Sequence, residues 1–133
     1  MKKSYLLLNH TLTENQVADL LENWHVDAIE ETSEPIKVFW SQIQAGSEIK
    51  KSDLKLVVDW LDGAKEGDII VLQGEFGSTF ALVDYALLTK LVPVHSVTRR
   101  VASETRDGEK VFRNYVFEHV CFRKYQYFNN LKD

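Results

Sequence analysis

The segment Gly74-Glu75-Phe76-Gly77-Ser78-Thr79 sets two glycines three residues apart beside two hydroxyl side chains. The glycines let the backbone turn tightly and approach a ligand. Ser78 or Thr79 is placed to cap the helix that follows, and the first amides of a helix favour phosphate or another anion. The loop lacks the lysine of a Walker loop and does not read G-x-G-x-x-G. Taken alone, it equally fits an ordinary strand-to-helix turn that needs glycine for packing. Thr98-Arg99-Arg100 offers two planar guanidinium forks that suit phosphate; a solvated pair opening an edge hairpin has the same composition. Asn9-His10-Thr11 supplies an imidazole that can act as acid or base, or hold a ribose or base edge. In isolation, it also reads as an exposed histidine at a helix entry.

Other polar residues give weaker signals. His25, His95 and His119 show no metal-ligand spacing, and no pair of carboxylates forms a convincing metal site. The single cysteine, Cys121, excludes an internal disulfide and a cysteine-based zinc cage. No metal or cofactor is expected. Trp24, Trp40 and Trp60 lie in helical patterns and are assigned to core or interface. Arg123-Lys124 reads as a solvated strand end.

The elements that must position the three segments follow from periodicity. Tyr5 to Leu8 reads as a buried strand. Thr13 opens a helix, with Gln16 completing a capping box and Val17, Leu20, Leu21 and Trp24 at helical spacing. Val26 to Ile29 is a short second strand. Ser33-Glu34-Pro35 starts another helix, residues 44–51 form a loop, and Ser52 caps a further helix ending near Gly63. Ile69-Ile70-Val71-Leu72 is apolar throughout, as a central parallel strand is. Phe80 to Leu91 is a helix apolar almost all round, which packs on a sheet rather than facing water. Val92 to Val97 is a strand with Pro93 near its beginning. Arg99 to Thr105 and Lys110 to Phe122 flank Asp107-Gly108, a hairpin turn signal.

The order β-α-β-α-α-β-α-β implies parallel strands with right-handed crossovers. The fold class is therefore α/β: a Rossmann-like, mostly parallel sheet flanked by helices, with a C-terminal antiparallel β-hairpin. All three polar segments then fall on the carboxyl edge of one sheet, the anatomy of a nucleotide-type pocket.

Bulk properties agree with one domain over residues 1–133, the hairpin extension occupying 98–125. The chain has 133 residues, 44% hydrophobic and 27% charged, enough for one core. The apolar runs are too short to span a bilayer. Met1-Lys2-Lys3 before an apolar run mimics a signal peptide, but the run is short and lacks a cleavage site, so a cytoplasmic protein is expected. The net charge of −4 argues against binding long nucleic acid. Residues 98–124 carry seven Arg/Lys against four Asp/Glu, leaving −7 elsewhere. A local basic region on an acidic protein suits a small anionic ligand.

Four blocks in order carry a resemblance. They are Leu-Leu-Leu-Asn-His-Thr-Leu-Thr-Glu-Asn-Gln near the start, Gly-Asp-Ile-Ile-Val-Leu-Gln-Gly-Glu-Phe-Gly-Ser-Thr, Val-Pro-Val-His-Ser-Val-Thr-Arg-Arg, and Phe-Glu-His-Val-Cys-Phe-Arg-Lys-Tyr. Together they resemble small stand-alone CRISPR-associated Rossmann-fold (CARF) proteins of type III CRISPR systems, from residue 4 to about residue 125. The resemblance implies binding of cyclic oligoadenylate, the second messenger of those antiviral systems, by a homodimer with the ring across the two-fold axis. Members without an effector domain are ring nucleases, which cut the messenger and switch the response off. By residue-level match Gly74, Glu75, Phe76, Gly77, Ser78 and Thr79 would hold phosphate and ribose. Thr98 and Arg99 would line the same pocket, with Asn9 and His10 after the first strand; Arg100, beside them, is a ligand-binding candidate from its own segment. Arg99 is expected to stabilise charge and His10 to act as acid/base or positioning group in metal-independent attack by a ribose 2′-hydroxyl. The alternatives are a non-catalytic sponge or sensor for the messenger, and a Rossmann-like domain for another nucleotide.

Overall fold

The computed structural model describes residues 1–133. Five strands form one sheet in the order β2-β1-β3-β4-β5. They are β1 (Lys3–Leu7), β2 (Ala28–Glu30), β3 (Ile69–Leu72), β4 (Val92–Asp107) and β5 (Lys110–Lys124). The first four run parallel, and β5 returns antiparallel to β4. The helices are α1 (Glu14–Glu22), α2 (Glu34–Ser41), α3 (Lys55–Trp60) and α4 (Phe76–Leu88).

The alternating faces of the strands sort the core into two layers. Tyr5, Leu7, Ile70 and Leu72 pack with Ile36, Trp40, Val57, Leu82 and Ala86 from α2, α3 and α4. Leu6, Ile69, Val71 and Val94 face the other way, onto Leu20 of α1 and Phe122 of β5. The split follows from crossover handedness. The β1-to-β2 connection runs one way along the sheet and the two later ones run the other, so their helices fall on opposite faces. The reversal lies between β1 and β3, where an open α/β sheet forms a crevice at its carboxyl edge. No helix is long and apolar enough to cross a membrane.

Local sequence explains most element ends. Thr13 and Gln16 exchange both bonds of the capping box that opens α1. Gly108 adopts φ 64 in the hairpin turn, a left-handed value that glycine accepts without strain. Several expectations shift. The second strand covers Ala28–Glu30 rather than Val26–Ile29. Ser52 does not cap a helix; a 3-10 turn over Lys51–Leu54 leads into α3. Helix α4 begins at Phe76, not Phe80, because Glu75 caps it. It also does not bury its whole circumference, since Phe80 is 77% exposed and Leu88 73%.

The largest shift concerns the hairpin. Val92–Val97 and Arg99–Thr105 are not separate strands but one strand of 16 residues. A β-bulge at Val97/Thr98 marks where the strand leaves the body. Beyond it, Thr98–Asp107 and Lys110–His119 form a two-stranded ribbon, exposed almost throughout.

Candidate functional site at the carboxyl edge

Two cavities flank the reversal point. The first, about 300 Å³, lies at the ends of β1 and β2, where Asn9, His10 and Thr11 face Glu31, Thr32, Glu34 and Lys37 beside Leu6, Leu8 and Val38. His10 Nδ1 lies 2.9 Å from the Thr11 carbonyl oxygen. A carbonyl only accepts, so Nδ1 carries the proton. Nε2 of the neutral ring is then the unprotonated nitrogen, fit to take a proton.

The second cavity, about 550 Å³, lies beyond the end of β3 and beside His95 of β4, against α4, where Gln73, Gly74 and Thr79 meet Phe76, Phe80, His95, Tyr125 and Tyr127. The Tyr125 hydroxyl donates to the Leu72 carbonyl at 2.6 Å, and the Tyr127 hydroxyl donates to Asp84 at 3.1 Å, fixing two rings of the wall. The His95 ring sits 4.8 Å from that of Tyr125. Burial, helped by the Arg123 charge, holds the His95 pKa below its ordinary value and favours the neutral ring. Thr79 is 9% exposed, yet its hydroxyl has no hydrogen-bond partner. A buried hydroxyl without a partner costs about 1–3 kcal/mol; the Ser4 hydroxyl in β1 and the Ser78 hydroxyl are likewise unpartnered.

The Gly74–Thr79 segment does not form one surface. Gly74, Phe76 and Thr79 line the aromatic cavity, whereas Glu75 and Ser78 line a wide groove beside residues 42–49. The helix is capped by Glu75 rather than by Ser78 or Thr79. Its carboxylate accepts from the amides of Gly77 (2.9 Å) and Ser78 (2.8 Å). The Ser78 hydroxyl faces the same carboxylate without completing a well-formed bond, and together with the Ser78 and Gly77 amides it holds the Glu75 carboxyl below the usual range. The chain's own anion thus occupies the amides that would receive a phosphate. Gly74 has a packing reason, while the contact at Gly77 is with the flexible tip of a side chain. A Cβ on Gly74 would lie 2.6 Å from the Trp40 indole, and one on Gly77 would lie 2.8 Å from Ile49. The Trp40 Nε1 donates to the Gln73 carbonyl at 2.9 Å, which seats the indole there.

Thr98, Arg99 and Arg100 stand apart from both cavities. Val94 pairs with Val71 and Pro93 with Ile70, so His95 stands level with Leu72, the last residue of β3. Arg99 is four residues further out, about 13 Å at the rise of a strand. It forms an exposed ion pair with Glu118 at 3.2 Å, while Arg100 lies over the Tyr115 ring at 4.4 Å. Within one chain, therefore, Asn9 and His10 come near the edge where Gly74 and Thr79 lie, and the arginines rise above it on the ribbon.

A buried polar network at the ribbon's root was not singled out from sequence. His119 Nε2 donates to Asp19 at 2.8 Å, and the Ser96 hydroxyl contacts His119 Nδ1 at 2.5 Å. The His119 and Asp19 side chains are only 4% and 9% exposed. Burial alone would raise the Asp19 pKa, but bonds from Asn23, His119 and the Phe122 amide outweigh it and hold the carboxyl below its usual range. Gln16 reaches Ser96 from the start of α1, and the Ser96 amide donates to Gln73 at 2.9 Å. The network ties together α1, β4, β5 and the segment leading to Gly74. Asp19 and His119 are 100 positions apart, so spacing could not reveal the pair; the one local sign is an aspartate within the apolar stripe of α1. No group of three His, Cys, Asp or Glu residues is arranged to hold a metal ion.

Residues 2–123 match the family described as "Uncharacterized protein MJ1673 family". "Uncharacterized protein MJ1673" of Methanocaldococcus jannaschii is 32% identical over 126 residues, covering 94% of this chain and 98% of that protein. No solved structure matches. The chain belongs to the MJ1673 family.

Proposed function

We propose that the protein binds cyclic oligoadenylate at the carboxyl edge of its sheet and cuts the ring, switching off type III CRISPR signalling. The observation that carries this reading is the pair of unlike cavities around the reversal between β1 and β3. One is lined mostly by polar and charged residues and holds His10; the other is aromatic and holds the unpartnered Thr79 hydroxyl. A nucleotide has the same division, with a polar sugar-phosphate and a flat base that stacks on aromatic rings. The resemblance in the four sequence blocks names the nucleotide class, with cyclic tetra-adenylate as the preferred ring.

In the proposed reaction a ribose 2′-hydroxyl attacks the adjacent phosphorus. The O2′–P bond forms, the P–O5′ bond breaks, and the products are a 2′,3′-cyclic phosphate and a 5′-hydroxyl. The nucleophile belongs to the substrate, so the protein needs to hold it in line and steady the charge. His10 Nε2 takes the 2′-hydroxyl proton, water gives a proton to the departing 5′-oxygen, and an arginine of the ribbon, Arg99 foremost, faces the phosphate. A two-fold dimer presents every such group twice to a symmetric ring.

A second reading, a sponge that holds the messenger uncut, draws on two facts. Arg99 is paired with Glu118, and Glu75 fills the first amides of α4. Incubation with labelled cyclic tetra- and hexa-adenylate in EDTA separates the two. Linear adenylates with 2′,3′-cyclic phosphate ends support cutting, and stoichiometric retention of intact ring supports the sponge. Loss of cutting in His10→Ala and Arg99→Ala assigns the roles; undiminished cutting in both removes them.

A further inference from the structure

Gln73 follows the last residue of β3, and its backbone is fully committed. Its amide donates to the Leu7 carbonyl at 3.1 Å, and its carbonyl accepts from Trp40 Nε1 at 2.9 Å. His95 stands level with Leu72, so Ser96 lies past the end of β3. With the strand gone, the Ser96 amide donates to the Gln73 side chain at 2.9 Å. A main-chain N–H only donates, so the atom that meets it is Oε1. Turning the carboxamide over would set donor against donor. The Ser96 side chain is itself held by His119 and Gln16. The group that fixes the Gln73 carboxamide is therefore anchored in the buried network at the ribbon's root.

This leaves a side chain with one free end. Gln73 Nε2 makes no hydrogen bond within the chain and is not shut away from solvent. The residue lines the aromatic cavity, so it offers that cavity donors and no acceptor. The lining holds no Lys or Arg, and its one carboxylate, Asp84, accepts from Tyr127. A wall with a carboxylate and no cation suits an uncharged flat group better than a phosphate. We infer that Gln73 is the residue that reads the base, its Nε2 donating to a ring nitrogen of adenine set against the rings of Phe76, Phe80, Tyr125 and Tyr127. Adenine carries uncharged ring-nitrogen acceptors, as a fixed donor in a site without a cation requires. The Thr79 hydroxyl in the same lining, free to donate or accept, gives the base a second partner. Gln73's role rests on the functional reading above, which puts the base in the aromatic cavity.

Ligand-observed NMR of the full chain with adenosine and with ribose 5-phosphate tests this. Adenosine carries the base without a phosphate, and ribose 5-phosphate the reverse. The wild type is expected to bind adenosine at millimolar concentration, and ribose 5-phosphate should not displace it. Two substitutions then separate reading from packing. Gln73→Glu keeps an oxygen for the Ser96 amide but turns the free end into an acceptor; Gln73→Met removes both ends. Adenosine affinity should fall roughly tenfold or more in Gln73→Glu, as a mispaired polar group in a binding site does, and less in Gln73→Met. Melting temperature should run the other way, with Gln73→Met below Gln73→Glu. A Gln73 that only packs would give one order in both measurements, and that result overturns the inference. So does unchanged adenosine affinity in Gln73→Glu, no adenosine binding by the wild type, or displacement of adenosine by ribose 5-phosphate. Adenosine binding that is lost in Gln73→Glu, in a protein that takes up no cyclic oligoadenylate, would support the role of Gln73 and defeat the functional reading alone.

Discussion

Strand β3 and strand β5 draw on similar residues and meet opposite fates. Ile69, Ile70, Val71 and Leu72 are fully buried, whereas Val111, Phe112, Val116 and Phe117 are more than half exposed. Propensity is alike in the two, so composition alone did not decide burial. What differs is cover. Helices pack on both faces of β3, while β5 beyond the bulge has β4 on one edge and nothing on its faces. The same side chains that hold the body together are, on the ribbon, available for another molecule.

The largest effect that sharpens this contrast is a core truncation. Leu82→Ala should lower the unfolding free energy by about 3 kcal/mol, while Val116→Ala should change the stability of the isolated chain by less than about 0.5 kcal/mol. Urea denaturation at low protein concentration checks both. Equal losses would mean that the ribbon is already packed within one chain.

The root of the ribbon should behave like the body. Asp19→Ala leaves His119, Asn23 and the Phe122 amide without their acceptor, and is expected to cost on the order of 2–4 kcal/mol. Its effect should reach Gln73 through Ser96, visible as faster amide exchange at Ser96 and Gly74. A loss below about 1 kcal/mol would show that the ribbon is not pinned there.

The pH dependence is smaller and has a fixed sign. His95 and Asp19 both have depressed folded values. Between the folded and unfolded values the unfolded chain holds more protons, so stability rises with pH. The His95 contribution is complete above about pH 6.5 and is lost as pH falls through its folded value. The Asp19 contribution is complete above about pH 4 and fades in stronger acid. Melting temperature should therefore fall on acidification in two stages, and His95→Gln should remove the upper one.

Glu75→Gln gives the subtlest test. It removes the carboxylate charge at the first amides of α4. If those amides receive a phosphate in the complex, affinity for cyclic oligoadenylate should rise several-fold, read by titration calorimetry. Unchanged or weaker binding would place the phosphates elsewhere, toward His10 and the ribbon.

Much of the fold was legible because it rests on local signals. The capping box at Thr13, the apolar run at Ile69 and the Asp107-Gly108 turn each fixed an element. The early start of α4 was hidden because Glu75 caps less often than Ser or Thr. The continuity of β4 was hidden because a charged Thr-Arg-Arg run looks like a break, although a bulge carries the strand through it. The site was legible as an edge but not as a set of distances. Gly74 and Gly77 marked a close approach, and only packing shows that Trp40 and Ile49 are what approach them. The His119–Asp19 pair depends on contacts between the two ends of the chain, which no local pattern encodes.

The most direct test of the proposed function is product analysis after incubation with cyclic tetra-adenylate in excess EDTA. Linear adenylates ending in 2′,3′-cyclic phosphate are expected from the wild type and should be sharply reduced in His10→Ala. Recovery of the intact ring, neither cut nor retained by the protein, would contradict it.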